Sequence, residues 1–278
     1  MAGVETDGNL AWMLEEDEDV HRKLIPLFVQ AQEVKLYQGL YRFPIKRTLL
    51  SHILTCRRRA RNLPIDDRDK VVIRSELEFH DLPEIMVGDV AGPLKVAGRA
   101  AQAERQEIMA AMQMFDFDPG GFALWQVVSL ASRVLKGKST GEEIFLPAFI
   151  DWVADQVEDQ YRGAAIWEGG LVAKIIDLVD GNEFFHQELT SWVMSGDYDS
   201  EKMPQETALV YTFQTTDRFR ENLRLFCPRC DYLEIGDGLL DQQLARVAAF
   251  WDPVPEKRIP PVLQAELDGI SLGEDHGL

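Results

Sequence analysis

The 278-residue chain is poor in cysteine, with only Cys56, Cys227 and Cys230. An odd count this low excludes a disulfide scaffold and points to a reducing, intracellular compartment. No apolar run reaches about 18 residues, which excludes a transmembrane helix. Met1–Asn9 has neither a basic start nor an apolar stretch, so no secretory signal is expected there. No period of about 20 to 50 residues recurs, which excludes a solenoid or propeller. Positive charge is scarce as well: 29 Lys and Arg stand against 47 Asp and Glu, for a net charge of −18. A chain this acidic is a poor general binder of nucleic acid or membrane surfaces, which are anionic themselves.

The charge that is present lies unevenly. Residues 1–20 carry −7, residues 21–61 carry +9, and −20 is left for 62–278. The one basic region follows directly on an acidic one. The expected organisation is an acidic leader (1–16), a single interlocked, mainly helical domain (17–250) and a Pro-rich C-terminal tail (251–278) with Pro253, Pro255, Pro260 and Pro261.

Hydrophobic spacing of three and four predicts helices. One runs from Asp17 or Asp19 to about Gly39, with Pro26 inside it, and a second runs from Pro44 to about Asn62. Further helices are expected over Arg99–Phe115, Phe122–Leu135, a stretch opened by the capping box Thr140–Glu143, Leu171–Val179, Glu183–Met194 and Leu239–Phe250. A short β interlude is expected near 71–96, because Val71, Ile73, Leu77 and Phe79 alternate with Arg74, Glu76, Glu78 and His80. Thr207–Phe213 is also β-like, and a β-hairpin resembling a zinc knuckle is expected near 224–235. The fold class is therefore mainly α with a minor β part.

The chemical candidate is metal. Cys227-Pro-Arg-Cys230 has the spacing of half a structural zinc site, which needs four ligands. The other cysteine, Cys56, lies four residues after His52, so the two share one face of a helix. His52, Cys56, Cys227 and Cys230 would make a closed Cys3His site for structural zinc. The competing reading is that His52 and Cys56 are core residues, since Leu49 and Ile53 share their face, and that Cys227 and Cys230 are an unliganded thiol pair.

Lys46, Arg47, Arg57, Arg58, Arg59 and Arg61 form the basic surface candidate. Their spacing fits a solvated helix face, a contact with an acidic partner or nucleic acid, or a bipartite nuclear-import signal. Gly137-Lys-Ser139 lacks the upstream glycine of a phosphate loop, and Asp197–Glu201 lacks the glycine and twelfth-position acid of a calcium loop. His186 stands among Phe184, Phe185 and Trp192 as a core histidine, and His80 stands beside Glu78 on the polar side of its expected strand.

These features favour a non-enzymatic interaction or assembly protein of structural or matrix-like type. It would be held by zinc and present a basic helix to an acidic protein partner. The alternatives are a nuclear or nucleic-acid-associated regulator acting through 46–61 and autoinhibited by the acidic leader, and an enzyme whose site is assembled from scattered residues such as His80, His186 and acids of separate helices.

Overall fold

The computed structural model describes residues 18–36, 47–88, 97–116, 118–138, 146–157, 161, 165–196 and 208–271. The acidic leader, Lys46 and the capping box at 140–143 lie outside the described residues. Eleven α-helices are described: α1 (Glu18–Ala31), α2 (Leu49–Arg61), α3 (Asp67–Phe79), α4 (Glu84–Val87), α5 (Ala97–Met114), α6 (Pro119–Leu135), α7 (Leu146–Gln156), α8 (Ile166–Ser195), α9 (Ala208–Phe226), α10 (Cys230–Trp251) and α11 (Pro261–Ser271). No strand occurs among the described residues. Their only β pairing is a single bridge between Lys35 and Thr48, which joins the end of α1 to the start of α2.

The axis is α8, 30 residues and therefore roughly 45 Å long. It replaces the two helices expected over 171–194, because Asp180–Asn182 between them continues the turn rather than breaking it. Helices α2, α3, α6 and α10 pack around it. Close approach is permitted where α8 has no side chain: a Cβ on Gly170 would collide with Val127 of α6. Leu171, Val172, Ile175, Ile176 and Val179 are buried there in the main core. A second core gathers Leu189 and Val193 of α8 with Leu209, Val247, Trp251, Val254, Ile259 and Leu263. The Pro-rich segment thus contributes buried side chains and a helix to the body.

The expected β interlude is helical. Asp66 caps α3 by accepting from the Arg68 N–H, and Asp67 and Asp69 favour the positive end of the helix dipole. The strand-like alternation arises because α3 is covered on several sides, by α2, α6 and α8. Val72, Ile73, Glu76, Leu77, Glu78 and Phe79 are all buried, so neither a period of two nor a one-sided stripe describes it. Gly88, at φ 77°, ends α4; residues 89–96 lie outside the described residues. The expected hairpin at 224–235 is also overturned. It is the end of α9, three linking residues and the start of α10. The expected β character of 207–213 likewise gives way to the first turns of α9.

Candidate metal centre

Helix α2 is capped by Thr48, whose hydroxyl accepts from the Ser51 N–H at 3.2 Å. It presents His52 and Cys56 inward, both buried, as their spacing of four requires. His80 and Asp81 follow directly at the end of α3. From α8 come Lys174, Asp177, Asp180 and Glu183, a charged row at spacing three within the mainly apolar first half of the helix. Two helices, α2 and α8, and the turn that closes α3 assemble this centre.

The imidazoles of His52 and His80 lie 5.5 Å apart. On His52, Nδ1 is 2.7 Å from Asp180 Oδ2, while Nε2 is 3.0 Å from Asp177 Oδ1 and 3.3 Å from Asp81 Oδ2. On His80, Nδ1 donates to the Leu77 carbonyl at 2.7 Å. Its Nε2 is 2.9 Å from Asp81 Oδ2 and 3.8 Å from Asp177 Oδ1. The Asp81 contact lacks hydrogen-bond geometry, and His80 Nε2 is left buried without a hydrogen-bond partner. Each ring is therefore anchored through Nδ1, one by a carboxylate and one by a backbone carbonyl. Each directs Nε2 toward the same two carboxylates. This is the outer-shell arrangement that orients metal-ligating histidines.

One ligand atom each from His52, His80, Asp81 and Asp177 falls within 4.8 Å of all the others. The set can hold a divalent ion. A second, overlapping group joins His52, Cys56 and Asp180. It is the poorer cradle. Cys56 Sγ is 3.7 Å from both ring nitrogens of His52 and so lies along neither lone pair. Burial also pushes the Cys56 thiol up to about 12, away from the thiolate a metal needs.

The electrostatics of the cluster favour positive charge at its centre. Burial opposes charge on His52, yet Cys56, Asp177, Asp180 and Asp81 around it hold its pKa well above the ordinary 6.5. Burial also opposes charge on His80, but Asp81 and Asp177 raise it to about 9. Asp81 and Asp177 are driven the other way: burial resists, and the neighbouring histidines, with Lys174 beside Asp177, hold both carboxyls below their usual range. A divalent ion replacing two imidazolium protons would leave the net charge of this cluster unchanged.

Exposure is asymmetric. The imidazoles are 4 % and 1 % exposed, whereas Asp81, Asp177 and Lys174 are 16 %, 15 % and 16 % exposed. The cluster is closed on its histidine side and reaches solvent past the carboxylates and the ammonium, where Lys174 pairs with Asp177. Behind His52, Asp180 accepts from Arg47 at 2.5 Å and faces Arg59 at 3.4 Å.

The structure brings His52 and Cys56 together but does not bring Cys227 and Cys230 to them; no group of clustered ligand atoms among the described residues contains either. Cys227 follows α9, donating its thiol to the Arg229 carbonyl at 3.5 Å, and exposed Cys230 begins α10. The basic segment also divides. Arg57 is buried against Glu78 at 2.5 Å, Arg47 against Asp180, and Arg59 bonds Glu183 at 2.7 Å. Arg58 and Arg61 are the two exposed members among the described residues. Sequence reasoning missed Asp81, Lys174, Asp177 and Asp180. The available signal was the row Lys174-x2-Asp177-x2-Asp180-x2-Glu183 inside an apolar run.

Among the described residues, no helix is long and apolar enough to cross a membrane. Compared with known protein families, curated proteins and solved structures, the chain matches none.

Proposed function

We propose that the chain is a metal-dependent hydrolase of phosphate esters. The observation that carries this reading is the convergence of two Nδ1-anchored imidazoles and two carboxylates on one point, with a solvent-facing side. His52, His80, Asp81 and Asp177 would hold the ion. Two nitrogens and two oxygens form a borderline donor set that suits zinc, manganese, iron or cobalt. A bound ion of this kind supplies an acidified water and a Lewis acid for a phosphoryl oxygen.

The surrounding residues suit an anionic substrate. With a divalent ion, Asp81, Asp177 and Lys174 leave the open side at +1, in a chain whose net charge is −18. An anion is attracted there and repelled over most of the remaining surface. Lys174 neutralises Asp177 and places an ammonium where negative charge builds up on a phosphoryl group. Asp180 holds the His52 ring in position from behind. The open side also distinguishes this centre from the closed structural zinc site expected from the four cysteine and histidine positions.

The test combines metal analysis of the purified chain with phosphate release from p-nitrophenyl phosphate. Activity should be lost on chelation and restored by zinc, manganese or cobalt. It should be absent in Asp81→Asn, whose circular dichroism should match wild type. Less than a tenth of an equivalent of metal, together with no metal-dependent release, overturns the proposal.

A further inference from the structure

Behind the metal centre, on the far side of Asp180, lies a cavity of about 840 Å³. This is within the usual range for small-molecule pockets. Arg47, Arg59 and Arg246 reach into it from three places in the chain, and Phe184 and Phe250 give it apolar wall. Arg47 lies over the Phe184 ring at 4.7 Å. The carboxylates facing these arginines are shared. Glu183 Oε2 takes Arg59 at 2.7 Å and Arg246 at 2.9 Å, while Asp180 Oδ2 takes Arg47 at 2.5 Å and His52 at 2.7 Å. Three guanidiniums and one imidazole thus draw on two buried carboxylates. Glu188 lines the cavity too, so the wall as a whole is balanced. An anion enters by taking over a shared guanidinium rather than by filling an uncompensated field.

We propose that this cavity is a regulatory site for a phosphorylated small molecule with a flat apolar body, and that its occupancy reaches the metal centre through Asp180. A phosphate accepts paired N–H donors from arginine forks, and the ring finds Phe184 and Phe250. When the phosphate engages Arg47, Arg59 and Arg246, Asp180 loses the first two as guanidinium partners, and its charge falls more fully on His52 Nδ1. A more negative outer-shell carboxylate strengthens the ring as a ligand. By linkage, metal and anion must then strengthen each other's binding by one common factor. The cavity stands independently of the hydrolase reading, but the transmission rests on it.

Calorimetry of the full chain stripped of metal by chelation, titrated with inorganic phosphate and with phenyl phosphate, tests the cavity. One saturable site is expected, tighter for phenyl phosphate. It should weaken about tenfold in Arg246→Ala, less in Arg246→Lys, and not at all in Asp81→Asn. Arg246 is more than half exposed and outside the metal centre, so its loss leaves the fold intact. No saturable binding in the millimolar range, or binding that Arg246→Ala leaves unchanged, overturns the cavity. Manganese titrations with and without phenyl phosphate then test the transmission. Coupling that disappears in Arg246→Ala supports it; coupling that survives arises at the open face of the metal and overturns it. A chain that binds phenyl phosphate but no metal upholds the cavity and overturns both the transmission and the hydrolase reading.

Discussion

Two buried histidine environments lie on the same helix axis and differ in almost every physical respect. His186 is fully buried among neutral groups. Trp251 Nε1 donates to its Nδ1 at 3.3 Å, which leaves Nε2–H to donate to Thr212 Oγ1 at 2.9 Å. The network continues through Thr216, which donates to the Thr212 carbonyl, and Gln243, which donates to Thr216. Burial without a carboxylate pushes His186 down to about 3. His52 and His80 are just as buried but face three aspartates, and the same desolvation is overcome. Burial therefore does not decide what a histidine does. The charge of its neighbours decides, and only the carboxylate-lined pair is equipped to exchange its protons for a metal ion.

The sharpest way to break this comparison is to exchange the effects. Asp81→Asn or His80→Ala should abolish metal retention and lower phosphate-ester hydrolysis by at least about a hundredfold, read by metal analysis and p-nitrophenol release. His186→Ala should do the opposite: metal content unchanged, and stability lowered by about 3 kcal/mol in denaturant titration, because Thr212 and Trp251 lose their partner next to a new void. Metal loss in His186→Ala without loss of stability would erase the distinction. A smaller effect is expected at Asp180→Asn, which keeps the shape but removes the charge behind His52. Metal affinity should fall about 10- to 100-fold, measured by competition with a chromogenic chelator. Proton release adds a check of sign. Ligation requires neutral imidazoles, so metal uptake at pH 7 should release about two protons, and affinity should rise with pH.

Legibility in the sequence followed how one-sided each element is. Helix α2 was readable because His52, Ile53, Cys56 and Ala60 are buried at helical spacing while Arg58 and Arg61 are exposed. Helix α6 was readable over Phe122–Leu135, and the structure extends it back to Pro119 with Asp118 as its cap. Helix α3 was misread because it is enclosed, and Glu76, Glu78 and His80, polar on paper, are inside. Half of the candidate metal centre was visible in the same way. His52 was singled out, but its partners come from residues 80–81 and 177, separations that local spacing does not report. Cys227 and Cys230 attracted attention through spacing alone, and α9 and α10 place them away from His52.

Glu76 supplies a third kind of buried ionisable group, with neither the carboxylate ring of His52 nor the neutral partners of His186. It is fully buried on α3, where Gly169 lets α8 come close to its carboxyl. Neither of its carboxyl oxygens has a hydrogen-bond partner. Burial, with the Glu168 charge adding to it, raises its pKa well above the ordinary 4.5. A carboxyl whose folded pKa is raised contributes its stability below the unfolded value of 4.5 and loses it as pH climbs toward the folded value. Wild type should therefore lose about 1.4 kcal/mol per pH unit relative to Glu76→Gln through that window. The two should be nearly equal near pH 4.5 and diverge in urea melts as the solution is made alkaline. Parallel stability curves across the range would mean that Glu76 is charged in the fold. A cation would then have to reach it, and the contrast between partnered and unpartnered buried groups would fail at this residue.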